Sequence, residues 1–236
     1  MNYIFCVVKT QWIDLTHTLS PEIPTWSGQC LFKMEIKEDY PKGCRVLNYQ
    51  MVAGIGTHMD APSHFIPQAL NIADIALEQL CVPAFVINVT DQVNKNPGYD
   101  ILPQDILAFE KRNGLIEENS LVVGYTGWSK YWRHQTKYRN TDKKGKMIFP
   151  GFHEEAAALL LERNIAGIGI DTLSSDDGEA ADSFPVHHKI LGANKYILEN
   201  LTRLDQLPEK GAYVLSLPIK VQGGTEAPAR VIAMIF

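Results

Sequence analysis

The sequence predicts an α/β fold with many strands running in mixed directions. Three observations carry this. Strand-like apolar runs alternate with helical ones from Trp12 to the end of the chain, and no linker, repeat or low-complexity tract interrupts them. At 45% hydrophobic and 21% charged residues, the composition is ordinary for a globular protein. A length of 236 residues suits one large domain, so a single domain over residues 1–236 is expected.

The elements follow in chain order. Strands are expected at "WIDLTHTL" from Trp12, "KMEIKE" from Lys33 and "VLNYQMVAGIGTHMDA" from Val46, where β-branched and aromatic residues alternate with polar ones. "IADIALEQL" from Ile72 reads as helix, and "AFVINVT" from Ala84 as a strand. "LPQDILAFEKRNG" from Leu102 is helical, with Pro103 near its start, where a missing N–H costs nothing, and Gly114 just past its end. After the strand "SLVVGYT" from Ser120, the connection Thr126 to Gly151 is longer than a turn requires and is expected to be functional or mobile. "FHEEAAALLLERN" from Phe152 is helix and "AGIGID" from Ala166 strand; His187 and His188 open a further helix. The remaining strands are "YILENL" at Tyr196, "AYVLSLPIKV" at Ala212 and "RVIAMIF" at Arg230.

Several function classes find no support. The net charge of −5 disfavours a general nucleic-acid binder, although Lys130 to Met147 is locally basic and aromatic. "GIGID" at Gly167 has Thr172 where a dinucleotide fingerprint needs its third glycine, and neither a phosphate-cradling loop nor a G-x-S-x-G elbow is present. Cys6, Cys30, Cys44 and Cys81 form no C-x-x-C pair and read as reduced thiols in a cytoplasmic protein. "MNYIFCVVKTQW" lacks the basic start and cleavage site of a signal peptide, and no stretch approaches the roughly 20 apolar residues that cross a bilayer.

What remains is "GIGTHMDAPSHF", which places His58, Asp60 and His64 within seven residues of a chain holding seven histidines. On a strand His58 and Asp60 share a face, and Pro62 ends the strand so that His64 can swing back toward them. The same alternation puts Gly54, which can ligate nothing, and Gln50, a weak neutral ligand, on that face. Later in the chain Glu199 ends the apolar "YILE". It is either a strand-end surface residue or a buried carboxylate that needs a partner such as a divalent cation.

"GTHMDAPSHF", "GIDTLSSDDG", "FPVH" followed by "ENLTRLDQLP", and "GGTEAPARVIAM" together resemble the metal-dependent cyclase-like hydrolases, the family that includes bacterial kynurenine formamidase and isatin hydrolase. The resemblance spans nearly the whole chain. It implies a swivelling β/β/α fold with a mixed central sheet, assembly into homodimers or homotetramers, and zinc or manganese held by a H-x-x-x-H-x-D-x-x-x-H segment plus a later His and Glu. Carried onto this sequence, His58, Asp60, His187 and Glu199 would be metal ligands and His64 the catalytic acid/base, with His188 a bystander. The departure is Gly54, where the family has its first ligand histidine, and this leaves one or two ions open.

The implied reaction is hydrolysis of a small amide, either an open N-formyl aryl amine such as N-formylkynurenine or a cyclic amide such as isatin. The cation would lower the pKa of a water to about 7 and polarise the carbonyl. An imidazole titrates near neutrality, which suits His64 to move the proton. Trp26, Phe65, Trp128, Tyr131 and Trp132 could wall a planar substrate, and Arg230 could hold a carboxylate. Two other classes stay open. One is a metal-depleted relative acting as a binding protein, which Gly54 alone suggests; the other is a binding module using the basic loop Lys130 to Lys146.

Overall fold

Seven strands close into a ring, and that closure decides where the site lies. The structure, a computed structural model, describes residues 10–178 and 183–236. Cys6 and most of "MNYIFCVVKTQW" lie outside the described residues.

In chain order the elements are β1 (Gln11–Asp14), β2 (Lys33–Glu38), β3 (Val46–Gln50), β4 (His58–Asp60), α1 (Leu77–Leu80), β5 (Cys81–Asn88), α2 (Thr90–Lys95), β6 (Asp100–Ile101), α3 (Pro103–Asn113), β7 (Leu121–Tyr125), α4 (Gln135–Arg139), β8 (Gly151–Phe152), α5 (Glu154–Glu162), β9 (Gly167–Ile170), α6 (Pro185–Gly192), β10 (Tyr196–Glu199), β11 (Ala212–Pro218) and β12 (Glu226–Ile235). The main sheet runs β1-β12-β11-β5-β7-β9-β10-β4, and β4 pairs again with β12. β5, β7, β9 and β10 are parallel to one another, and the remaining pairings in this sheet are antiparallel. The mixed α/β architecture that the sequence predicts is therefore present. β2 with β3 and β6 with β8 form separate two-stranded sheets.

Alternation along the strands divides the core in two. Val82, Ala84 and Val86 of β5 point into the ring beside Leu121, Leu198, Val214 and Ala229. Phe85 and Ile87 point outward, onto Ile106 and Phe109 of α3, Leu160 of α5 and Ile190 of α6. Each such apolar side chain contributes about 1.5–3 kcal/mol when taken fully out of water. α3 carries Pro103 at its start and stops at Gly114, whose φ of +87° only glycine adopts readily.

Two expectations change. The run from Val46 does not continue as one strand: β3 stops at Gln50, residues 51–57 turn, and β4 begins at His58. Gly56 at φ +65° makes the turn. Gln50 pairs with Lys33 in the outlying hairpin and is exposed, so it is not on the face of His58. The connection from Thr126 to Gly151 is a packed segment built from a 3₁₀ turn at Trp128–Tyr131 and α4, with Trp128, Trp132, Tyr138 and Phe149 buried. Of the aromatic side chains of its basic stretch, Trp132 and Tyr138 face inward, while Tyr131 is half-buried with Lys130 over its ring. Among the described residues, no helix is long and apolar enough to cross a membrane.

Candidate metal centre

β4 is wedged between β10 and β12, and the register of these three strands builds the site. His58 stands opposite Glu199 on β10, and Asp60 stands opposite Glu226 on β12. The intervening Met59, Leu198 and Ala227 point into the ring core. With a period of two, His58, Asp60, Glu199 and Glu226 must then project from the outer face. There α6 presents His187.

The ligand-type atoms converge. His58 Nε2 lies 3.5 Å from Asp60 Oδ1 and 3.5 Å from Glu199 Oε2. His187 Nε2 lies 3.5 Å from Asp60 Oδ2 and 3.3 Å from Glu199 Oε1. Asp60, His187 and Glu199 form one group whose atoms all lie within 4.8 Å of one another, and His58, Asp60 and Glu226 form a second.

Both imidazoles are oriented from behind. His58 Nδ1 is 2.9 Å from the carbonyl of Gly56, which can only accept, so Nδ1 donates and Nε2 is turned to the cluster. That carbonyl also accepts from Asn200 Nδ2 at 3.0 Å, and Asn200 Oδ1 accepts from Tyr138 at 3.0 Å. His187 Nδ1 lies 2.5 Å from Asp176 Oδ2, and Asp176 also takes the backbone N–H groups of Val186 and His187 in the first turn of α6. Hydrogen bonds of this kind set the tautomer and aim of metal-binding histidines. Glu199 Oε1 accepts the N–H of Ser175 at 2.7 Å.

Asp60 is the exception. It is 1% exposed, and neither carboxylate oxygen has a hydrogen-bond partner. Burying a carboxylate without partners is costly. Burial alone would raise its pKa, but the charges of His58 and His187 outweigh it and hold Asp60 below the usual carboxylate range. Conversely, burial pushes His58 and His187 down, while the surrounding carboxylates more than reverse this and leave both raised. Two imidazole nitrogens and a buried carboxylate without hydrogen bonds, aimed at one point, fit a divalent cation.

The cluster forms the floor of a cavity of about 310 Å³, with His64 at its side and Trp26, Phe65 and Phe184 among its walls. Pro62 opens a 3₁₀ turn that ends at His64, which returns this side chain to the cavity as the sequence predicts. His64 Nδ1 is 3.5 Å from Glu226 Oε2 and the ring is partly exposed. Phe65 packs against both Phe184 and His187.

Not every expected residue belongs here. Trp128 is 4% exposed in the core and donates its indole N–H to the carbonyl of Tyr138, so it braces the packed connection rather than the cavity. Arg230 is exposed on β12, where its guanidinium forks onto Asp14 at 2.8 and 3.0 Å. Tyr131 sits outside the cavity, and Trp132 stacks on His17 elsewhere. His188, one residue beyond His187, is exposed and is not among the clustered ligand-type residues; its ring stands edge-on to Phe65. Gly54 does border the cluster, but through the 51–57 turn: a Cβ there would lie 3.4 Å from His58 Nε2 and would overlap the Glu226 carboxylate.

Glu226, Asp176, Asn200 and Phe184 are absent from the sequence expectations. Glu226 was detectable as an isolated acid at the head of the apolar strand "EAPARVIAMI", and Asp176 as one of the paired acids in "SSDDG". The other two gave no local signal.

A closed mixed sheet that turns two imidazoles and three carboxylates toward one aromatic cavity defines an α/β protein with a candidate metal centre. The chain belongs to the cyclase family, whose model, described as "Putative cyclase", matches residues 13–177. It is 31% identical to isatin hydrolase of Roseibium aggregatum over 76% of this chain and 71% of that protein. It is 25% identical to kynurenine formamidase of Bacillus cereus over 94% and 97% of the two chains. Among solved structures, isatin hydrolase A from Ralstonia solanacearum superimposes with a TM-score of 0.91 at 34% identity, covering 96% of this chain and 92% of that one.

Proposed function

We propose that this chain is a metal-dependent hydrolase of a small aryl amide. Its metal ligands are His58, Asp60, His187 and Glu199, and its acid/base is His64. One observation carries the reading: the buried Asp60 carboxylate has no hydrogen-bond partner and faces imidazole nitrogens on both sides. A bound divalent cation supplies Lewis acidity, polarising the amide carbonyl and lowering the pKa of an attacking water. The chain's own residues do the rest. Trp26, Phe65 and Phe184 hold a planar ring and exclude water from the cavity wall. His64, at the cavity side, takes the proton of the attacking water and returns it to the departing nitrogen. Glu226, 3.5 Å away, holds the imidazole toward the cluster.

The substrate class is a cyclic aryl amide such as isatin or an open N-formyl aryl amide such as N-formylkynurenine. The higher identity to isatin hydrolases supports trying the cyclic amide first. The whole chain, residues 1–236, acts as one domain in this reading. Exposed Met34, Ile36 and Tyr49 on the β2–β3 hairpin support self-assembly into a homodimer or homotetramer. Gly54 was the one sequence feature that favoured a metal-depleted binding protein. It loses that force, because a carboxylate fills its place.

The test is metal analysis of protein loaded with Zn²⁺ or Mn²⁺ and desalted, followed by assay on a panel of cyclic and N-formyl aryl amides. Asp60→Asn should lose cation and activity together, since an amide carries no charge to offset a divalent ion. Full metal occupancy in that variant would sink the reading.

A further inference from the structure

We propose that Glu226 is itself a cation ligand, completing with His58 and Asp60 a site beside the His187–Glu199 group, and that Gly54 is the residue that makes room for its carboxylate. The inference rests on the metal reading above and goes beyond its ligand set.

Four observations converge. Ligand atoms of His58, Asp60 and Glu226 lie within 4.8 Å of one another, as do those of Asp60, His187 and Glu199, so Asp60 belongs to both groups. Its two oxygens are divided accordingly: Oδ1 is the one near His58 and Oδ2 the one near His187, and neither is hydrogen-bonded. The strand register then sets Glu226 directly across from Asp60. Like charges opposite one another across a strand pair are destabilising unless something positive lies between them. His64 Nδ1, at 3.5 Å, is the cationic-type group paired with Glu226, and it is itself partly exposed.

The fourth observation is the space. Gly54 is not among the glycines with positive φ, so its backbone does not require glycine. What requires it is the Glu226 side chain. A Cβ at position 54 would overlap Oε1 and stand 3.1 Å from Cδ. The carboxylate therefore enters from β12 into the volume that any side chain at position 54 would claim. The two positions share one volume, which Gly54 leaves open in the 51–57 turn and the Glu226 carboxylate fills from β12.

This makes Gly54→Ala an informative probe, because it replaces no ligand residue and acts by displacing the Glu226 carboxylate. The overlap is with the free end of a flexible side chain, so Glu226 would swing away while the fold stands. The experiment titrates Mn²⁺ into chelated, metal-free protein by calorimetry and counts ions on desalted samples. Thermal unfolding of each metal-free variant serves as the folding control. The parent should take up two equivalents, and Glu226→Gln and Gly54→Ala one each. His64→Ala should keep the parent isotherm, because Glu226 acts on the cation directly. An unchanged isotherm in Glu226→Gln or Gly54→Ala overturns the assignment, as does loss of the same equivalent in His64→Ala. A single equivalent retained at equal affinity in parent and variants overturns this inference and leaves the metal reading standing. A parent that takes up no cation refutes the metal reading itself.

Discussion

Replacing Asp176 by asparagine should damage the fold and the metal centre by separable amounts. Asp176 is fully buried, and its carboxylate receives three N–H donors: those of the Val186 backbone at 2.8 Å, the His187 backbone at 3.1 Å and the His187 ring at 2.5 Å. An amide can turn its oxygen to only part of this set, leaving its own N–H₂ facing a donor. Removing one partner of a buried charged pair costs about 3–5 kcal/mol. For a chain of this size each kcal/mol lowers Tm by roughly 2–4 °C, so a fall of about 6–20 °C is expected. His187 would also lose the bond that aims Nε2 at Asp60 and Glu199, and outer partners of this kind are worth about 10- to 100-fold in metal affinity. Thermal unfolding of metal-free protein reads the first effect and Mn²⁺ calorimetry the second. If Tm falls while Mn²⁺ affinity stays at the parent value, Asp176 only caps α6 and its role at the metal centre is refuted.

Four further outcomes follow from the same geometry. His64→Ala should keep its metal and lose about 10²- to 10⁴-fold in kcat; a matching loss of metal by elemental analysis would make His64 a ligand instead. Trp26→Ala should raise KM for an aryl amide about tenfold with kcat little changed, whereas Arg230→Ala, whose exposed pair with Asp14 is worth at most about 1 kcal/mol, should leave both constants alone. His17 is held down to about 4 by burial and by the nearby Arg203 charge. Its folded pKa lies below its unfolded value of 6.5, so the unfolded chain takes up the proton more readily. The stability it contributes is present above pH 6.5 and is lost as pH falls toward 4, by about 2–3 kcal/mol. His17→Gln should flatten the acid limb of a Tm-versus-pH curve, and an unaltered limb would count against this assignment.

The half of the site that lies within one short segment was legible in the sequence. His58 and Asp60 share a face because strand alternation is local, and Pro62 returns His64 for an equally local reason. Glu199 stood out locally as an acid ending an apolar run, but its pairing with His187 as ligands came from resemblance, since no spacing rule links a helix start to a strand end. Glu226 stayed hidden because its place depends on the pairing of β4 with β12, a register that connects distant parts of the chain. Gly54 does neighbour His58, but through a turn and not along a strand, because the glycines that permit the 51–57 turn sit inside a run that otherwise reads as strand. Trp128 and Arg230 show the opposite failure: side-chain chemistry suited to a binding pocket was spent on core packing and a surface ion pair.

The closure of the ring through β4 also bears on when the centre can form. β4 has three residues, and its two partners lie far downstream, in β10 at Tyr196–Glu199 and at the head of the last strand, β12. Bringing such distant segments together carries a large loop-closure cost and belongs to the slow, late part of folding. A nascent chain that has displayed only "GTHMDAPSHF" offers two imidazoles and an acid on a flexible tether, with no geometry to choose among ions. Only after β12 has docked against β4 are the carboxylates and imidazoles held at fixed spacing. Ion choice would then fall to a finished frame, and an ion held by the proposed centre would act as a latch on the seam where the sheet closes, raising the barrier to unfolding without hastening assembly.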